Sequence, residues 1–450
     1  MRQDRDILKL AVPSILANIT VPLVGMADIA VAGHLPGSAA VFIGGISIGS
    51  LLFDLLYWNF SFLRIGTGGM TAQAYGRGDM HAASDALIRS AGTSVAIALT
   101  CILIQWVFVD LVFLFVKCSP EVRALAETYF HIRIWAAPAT LTLMALKGWF
   151  IGMQDSVRPM LTDLIVNGMN VAGSIILAMG LPHSGFHGIG FPGIAAGTVI
   201  AQYSGLLFAL LAIFLRYRQI FSSRTVSSLC RAFAGPEMRR FFNVNADLFI
   251  RSLCIMGIYA GITVISARYG DMMLAVSSIL VQTMMLFSYF TDGFAYAGEA
   301  LTGKFIGMRD RDGVRGTVRG VFKWSMGVAA LFMLLYAFFS EPLLHVLTSD
   351  QEVVAAAMEF IPWLIPMPLV GCAAFTWDGI YVGATASVPV RNATLWAVAG
   401  FFAVWLAGYV ILKPSPSVAV HILMVAFLVH LLIRMLYESM SYKRSILGES

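Results

Sequence analysis

Twelve apolar stretches, each long enough to cross a lipid bilayer, restrict the fold of this chain more than any other feature. A hydrocarbon core of about 30 Å needs about 20 apolar residues in a helix. We number the stretches as spans 1 to 12, and they lie near residues 8–33, 42–64, 88–116, 126–152, 159–180, 190–216, 242–267, 273–298, 317–340, 353–384, 393–413 and 418–438. The sequence therefore predicts an all-α polytopic membrane protein with twelve transmembrane helices.

The composition excludes most other classes of protein. Hydrophobic residues make up 58% of the chain and charged residues only 12%, whereas a soluble domain has about 25% charged residues. A soluble globule could not bury that much apolar surface, and we expect no nucleic-acid partner. The five cysteines are scattered through apolar stretches without a CxxC pair, so we expect no metal or redox site.

The placement of basic residues predicts the orientation of the spans. Most of the 30 Lys and Arg residues, Arg434 included, fall in segments that are cytoplasmic if the amino terminus is cytoplasmic. The few assigned to the other side are Lys117, Arg123, Arg133, Arg268 and Lys413. This bias follows the positive-inside rule and requires an even number of spans. We therefore expect a protein of the cytoplasmic (inner) membrane with both termini in the cytoplasm.

An internal repeat divides the spans into two halves. The string GWFIGMQDSV at residues 148–157 corresponds to GIYVGATASV at residues 379–388. Each half has six spans and enters the membrane in the same orientation, which predicts two lobes related by a pseudo-twofold axis along the membrane normal. We assign residues 1–216 to the N-lobe, 217–241 to a cytoplasmic linker and 242–450 to the C-lobe. Two such lobes are typical of a transporter that works by alternating access, although duplication could also simply build a larger scaffold.

Ionisable residues inside the predicted spans are the candidates for function. Placing an ionised group in hydrocarbon costs several kcal/mol, about 2.5–3.5 by insertion scales, so each ionisable residue in a span should have a structural or functional role. The acidic ones are Asp28, Asp54, Asp247, Asp292, Glu299 and Asp378, and the basic ones are Arg251 and Lys147. The excess of acids favours protons or cationic substrates over anions.

Asp28 is the strongest of these candidates. It lies in the outward half of span 1 among small and apolar residues, and burial there favours its neutral form, so it can exchange a proton or accept a cation. Pro13 removes a backbone hydrogen bond and lets the same helix bend. The alternative is a structural aspartate that bonds a neighbouring helix. Asp54, in the middle of span 2, has the same two interpretations.

Polar residues near Asp28 predict a hydrogen-bonding network. Asn167 and Asn170 share one face of span 5, with Ser174 one turn beyond, and Asn18 lies on span 1. These groups either set the protonation of Asp28 or act as interhelical contacts, each worth well under about 2 kcal/mol.

The other charged residues also have two interpretations each. Asp247 and Arg251 are four apart in span 7, which predicts a mutually neutralising pair, or an arginine that binds an anionic headgroup when it is released. Asp292 and Glu299, seven apart on span 8, form either a stabilising polar cluster or a gate. Asp378 in span 10 is the best C-lobe candidate for a second ion or substrate site.

Five longer strings point to a known family: ADIAVAGHLPG, FLRIGTGGMTAQAYGRGD, DLFIRSLC, DGFAYAGEALTGKFIG and DGIYVGATASVPVRN. They resemble the multidrug and toxic compound extrusion (MATE) family, specifically its DNA-damage-inducible protein F (DinF) branch, from about residue 8 to residue 435. The resemblance implies a V-shaped, two-lobe antiporter that exports lipophilic, often cationic compounds while H⁺ or Na⁺ enters. It also implies that Asp28 is the helix 1 carboxylate that is protonated and Pro13 the proline at which helix 1 bends. By the same resemblance, Asn170 and Thr198 match polar residues of helices 5 and 6.

This chain departs from the family pattern at two places, and the second departure favours proton coupling. Relatives place an aspartate where this chain has Ser174, so the N-lobe site has one carboxylate here. Sodium-coupled relatives use a helix 7 glutamate with a helix 10 aspartate, whereas span 7 offers Asp247 and Arg251, and a Na⁺ site gains nothing from an arginine. We expect a proton antiporter, with sodium coupling as the alternative.

Two other functions have weaker support. A lipid-linked precursor flippase of the same superfamily would need several basic residues facing a cavity, and the spans offer chiefly Arg251 and Lys147. An intramembrane enzyme would need a clustered nucleophile and base or metal ligands, and no HExxH motif is present. We expect no enzyme activity, no cofactor beyond the coupling ion, small lipophilic or cationic substrates and membrane lipids as partners, and a functional monomer.

Overall fold

The computed structural model describes residues 2–181, 186–221, 233, 235–348 and 350–448, and within them the chain is helical without strands. The predicted linker at 217–241 lies largely outside these described residues. The helices are Arg2–Gly33, Ala39–Tyr57, Phe62–Gly76, Met80–Phe113, Pro120–Arg133, Ala137–Gly152, Val157–Met179, Phe191–Phe221, Pro236–Ala267, Asp271–Gly307, Arg311–Leu347, Gln351–Met358, Ile361–Leu364, Met367–Gly383, Ser387–Leu412 and Pro416–Tyr442.

Twelve segments of the described chain are long and apolar enough to cross a membrane, in the order in which the sequence places them. The predicted all-α class and span number are confirmed. Several predicted bounds are wrong: span 2 extends over Ala39–Gly76, well beyond the predicted end at residue 64, and span 10 begins at Ile361 rather than near residue 353, which leaves Glu359 outside it. The added turns of span 2 carry Thr67 and Thr71, which are buried in protein. Such polar residues interrupt the apolar stretch in the sequence, but the helix continues through them because they pack against protein and not lipid.

The repeated glycines mark two equivalent helix contacts. A Cβ atom at Gly148 would lie 2.1 Å from the carbonyl oxygen of Arg64, and one at Gly379 would lie 2.1 Å from that of Ala295. Only glycine lets span 4 approach span 2, and span 10 approach span 8, this closely. The sequence repeat therefore corresponds to the same backbone contact formed once in each half.

The chain forms two compact units, Leu16–Arg240 and a second that joins Met1–Ile15 to Phe241–Ser450. Each unit has its own hydrophobic core. In the second unit, the amino-terminal segment is held by an ion pair between Asp4 Oδ1 and Lys323 Nζ at 2.8 Å. The lobe boundaries drawn from the sequence, which assign all of span 1 to the N-lobe, stay a prediction.

Candidate functional site

In the first unit, Asp28 lies buried on span 1 and accepts a hydrogen bond from span 5. It is 5% exposed, and Ser174 Oγ donates to its Oδ1 at 2.9 Å. The sequence placed these two residues in one network, and the structure brings them together. A buried carboxylate with a neighbouring hydroxyl can be neutralised either by a proton or by a cation, and both relieve the cost of its charge.

The other predicted network residues form neighbouring, separate bonds. Asn167 Nδ2 donates to Thr20 Oγ1 on span 1 at 2.6 Å, and Asn170 Nδ2 donates to Thr198 Oγ1 on span 6 at 2.8 Å. Asn18 is half-buried on span 1. Span 5 is thus joined by polar side chains to span 1 on one side and to span 6 on the other.

Glycines on span 6 determine how closely it approaches the Asp28 site. A Cβ atom at Gly197 would lie 2.5 Å from the backbone nitrogen of Ser174, and one at Gly193 would lie 2.4 Å from the carbonyl carbon of Leu177. Glycines four apart lie on one helix face and allow two backbones to touch. This close contact fixes the part of span 5 that carries Ser174.

Arg133 is a charged neighbour of this site that the sequence analysis assigned to an external segment. The structure places it within span 4, where Nη1 donates to the Tyr129 hydroxyl at 2.9 Å and the guanidinium lies 4.6 Å from the centre of the Phe53 ring. Its charge acts on both Asp28 and Asp54. Asp54 itself is exposed on span 2. The signal that identifies Arg133 was available, since residue 133 falls inside the apolar stretch 126–152.

In the second unit, Asp247 does not pair with Arg251 as predicted. Arg391 Nη1 on span 11 donates to Asp247 Oδ1 at 2.7 Å, and Ser387 Oγ donates to Oδ2 at 2.6 Å. The four-residue spacing allows the predicted contact, but partners on another span offer two donors to the same carboxylate. Arg251 is left to bond elsewhere.

Arg251 and Arg434 both bond Oδ2 of Asp378 and so join spans 7 and 12 to span 10. Arg434 is 2% exposed, although the sequence analysis counted it as cytoplasmic. Glu438, one turn further along span 12, is also completely buried. The structure therefore surrounds Asp378 with charged residues that the sequence analysis did not associate with it.

The remaining candidates are dispersed. Lys147 forms an ion pair with Asp163, Glu299 is buried in span 8, and Asp292 is half-buried on the same span. Pro13 is half-buried within a helix that runs unbroken from Arg2 to Gly33.

The string GISIG at residues 45–49 has the spacing of a GxSxG nucleophile motif but not its structure. It lies inside a helix, and Ser47 Oγ donates to the carbonyl oxygen of Ile43 at 2.9 Å. The motif requires a sharp turn between a strand and a helix that exposes the serine.

Comparison with known proteins gives concordant results. A family model described as MatE matches residues 13–176 and 248–405. DNA damage-inducible protein F of Escherichia coli is 34% identical over 400 residues, which cover 88% of this chain and 84% of that protein. A probable multidrug resistance protein NorM of Rhizobium meliloti is 24% identical over 90% of this chain and 85% of its own length.

A solved structure has the same fold. A transporter of the MOP superfamily from Pyrococcus furiosus matches with a TM-score of 0.84 at 16% identity, covering 100% of this chain and 97% of that chain. The family model and the E. coli relative show the family, and this solved structure shows the fold.

Proposed function

This chain belongs to the MatE family, and we propose from that premise that it exports small lipophilic, often cationic compounds in exchange for protons. The proposal rests above all on one observation, the buried carboxylate of Asp28 bonded to Ser174. A charge at that depth is costly unless it is neutralised. Either a proton or a cationic substrate can neutralise it, so each displaces the other, and exchange follows from their competition.

We propose that span 1 bends near Pro13 when Asp28 takes up a proton. Proline lacks the amide hydrogen that would bond the carbonyl of the residue four before it. The next residue weakens the same turn, because Ser14 Oγ donates to the carbonyl oxygen of Leu10 at 3.0 Å, a bond that often bends helices. The division between the two compact units also falls close by, between Ile15 and Leu16. These features support a hinge at this turn.

The test is efflux of a fluorescent cation from proteoliposomes, driven first by a proton gradient and then by a sodium gradient. The Asp28→Asn variant should lose proton-driven efflux while still inserting into the membrane. Asp110→Asn is the matched control, because Asp110 has 76% of its side chain exposed, and it should transport normally. Unchanged efflux by the Asp28 variant would refute the assignment of Asp28 as the proton carrier. Efflux that is driven only by the sodium gradient would show that the coupling ion is Na⁺ and not the proton.

The flippase alternative is weakened by the pairing of its basic residues. Arg251 is bonded to Asp378 and Lys147 to Asp163, so each already has a carboxylate partner. A lipid pyrophosphate would have to displace these carboxylates, which costs the pairing energy of a buried ion pair. This favours a small cationic or lipophilic substrate.

We also propose that the protein acts as a monomer in the cytoplasmic membrane, with both termini in the cytoplasm. The distribution of Lys and Arg supports this orientation. The test is a fusion of the carboxyl terminus to a reporter that is active only in the cytoplasm, which should be active. Activity of a reporter that works only in the periplasm, fused to the same end, would overturn the proposed orientation.

A further inference from the structure

The charged cluster of the second unit leaves an acid without a hydrogen-bond partner. Glu438 is 0% exposed, and among the described residues neither of its carboxyl oxygens has a partner. Asp378, 8% exposed, uses Oδ2 for both Arg251 and Arg434, and its Oδ1 has no described partner. Three carboxyl oxygens that are shielded from solvent thus lack a hydrogen-bond donor, although two guanidinium groups lie next to them.

A single proton accounts for this arrangement. Glu438 and Asp378 are neighbours, because Arg434, one turn before Glu438, bonds Asp378, and the hydroxyl of Tyr381, one turn beyond Asp378, donates to the backbone carbonyl of Glu438. Two ionised carboxylates side by side in a buried place repel strongly, so one of them keeps a proton. A protonated carboxyl gains an O–H donor. If Glu438 carries it, the O–H donates to Asp378 Oδ1, which satisfies an oxygen of each residue and leaves Asp378 ionised between its arginines.

The same cluster offers a second arrangement once the proton leaves. Glu438 and Arg434 are one helical turn apart on span 12, the spacing at which oppositely charged side chains meet. The Nε of Arg434 has no described acceptor and is available to an ionised Glu438. Loss of the proton would therefore draw Arg434 from Asp378 on span 10 toward Glu438 on its own helix. A bond between two helices would be exchanged for a bond within one.

The charge balance keeps both arrangements accessible. With Glu438 neutral, the two guanidinium groups and the ionised Asp378 leave one surplus positive charge in a buried place. With Glu438 ionised, the four groups are balanced, but the hydrogen bond between the carboxyl groups is lost. Each state therefore has a cost that the other lacks, which is the condition for a site that exchanges its proton.

Among the described residues, the other titratable groups near Glu438 do not bond its carboxyl group. The Tyr381 hydroxyl on span 10 donates to the backbone carbonyl of Glu438 at 2.6 Å, not to its carboxyl group. The His430 ring on span 12 contacts the carbonyl of Phe427 through Nδ1 at 2.5 Å. Tyr259 on span 7 lies in the field of Arg434 first and of Asp292 on span 8 second.

We propose that Glu438 holds an exchangeable proton shared with Asp378, and that it is a second proton carrier beside Asp28. Its part in transport rests on the proposed proton coupling, but the proton itself is observable without transport. Release of this proton to water would loosen span 12 from span 10, and uptake would restore the connection through Arg434.

The test is infrared spectroscopy of the purified full-length protein, labelled with ¹³C at the glutamate carboxyl groups. The unlabelled protein should show the carbonyl stretch of a protonated carboxylic acid, and glutamate labelling should shift it. The band should disappear in Glu438→Gln and decrease as the pH is raised. Glu352→Gln, at an exposed position, and Glu299→Gln, at a buried one, should both retain it.

Two further variants keep the result unambiguous. Glu438→Asp should fold more readily than Glu438→Gln, because it keeps a carboxyl group at this position. Its carboxylic acid band should no longer respond to glutamate labelling. Asp28→Asn should retain the Glu438 band even though its export is lost, so failure of the proposed function and failure of this inference are distinguishable. A glutamate band that persists in Glu438→Gln, or that is unchanged at every pH, would overturn the proposal.

Discussion

The close contact at Gly148 makes a quantitative prediction about stability. A Cβ atom there would lie 2.1 Å from the carbonyl oxygen of Arg64, and backbone atoms cannot rotate away as a side chain can. Overpacking of this kind costs typically about 1–3 kcal/mol, while replacing glycine by alanine in a helix returns up to about 1 kcal/mol. Gly148→Ala should therefore be destabilised by up to about 2 kcal/mol net when the full helix-forming gain is realised.

Gly168→Ala is the matched control in the same unit. Nothing lies within 4 Å of a Cβ atom at Gly168, so only the helix-forming gain of up to about 1 kcal/mol should remain. Because this gain is common to both variants, they should differ by the overpacking cost of about 1–3 kcal/mol, which corresponds to roughly 2–12 °C in the unfolding midpoint of a domain of this size. Thermal unfolding in detergent, followed by fluorescence or by loss of the monomer peak, measures the difference.

The internal repeat supplies an independent second comparison. Gly379 makes the equivalent contact with Ala295 in the second unit, at the same 2.1 Å, whereas Gly327 has open space around it. The Gly379→Ala and Gly327→Ala variants should differ in the same direction and by a similar amount. If Gly148→Ala were as stable as Gly168→Ala, the repeat would not be explained by helix contacts.

Three further outcomes follow from the described contacts. Ser174→Ala removes the donor to Asp28, a bond worth about 1–2 kcal/mol, and should reduce proton-driven efflux roughly five- to thirtyfold, with normal efflux contradicting the assignment. Arg391→Met leaves Asp247 buried without its cation and should destabilise the protein by about 3–5 kcal/mol, measured by thermal unfolding, with recovery expected when Asp247→Asn is added. Hydrogen bonds from two side chains of span 12 hold the pKa of Glu359 below its ordinary value of 4.5. The ionised carboxylate therefore stabilises the fold fully above pH 4.5, and this stabilisation is lost as the pH falls through the lowered pKa of the folded protein. Glu359→Gln should therefore make the acid side of the stability profile flatter, and an unchanged profile would contradict this.

Much of the fold could be predicted because lipid imposes a simple length requirement on each span. The number and order of the spans follow from apolar stretches of about 20 residues, and the structure confirms them. The bond between Asp28 and Ser174 was also within reach, since a buried acid needs a polar neighbour and few polar residues occupy those spans. What apolar length does not determine is where a helix ends when its last turns are polar and covered by protein, as at Thr67 and Thr71.

The charged cluster of the second unit shows why the rest of the site could not be predicted. Arg434 lies near the end of its predicted span, and a rule that counts basic residues near helix ends assigns such a residue to the cytoplasm. Its burial depends instead on Asp378, which is distant in sequence and bonds it across two helices. The periodicity of span 12 places Arg434 and Glu438 on one face but gives no indication that this face meets span 10. A sequence pattern of this kind identifies which residues are costly in a membrane, whereas the choice of partner, and with it the number of protons the cluster must hold, is decided by packing between helices.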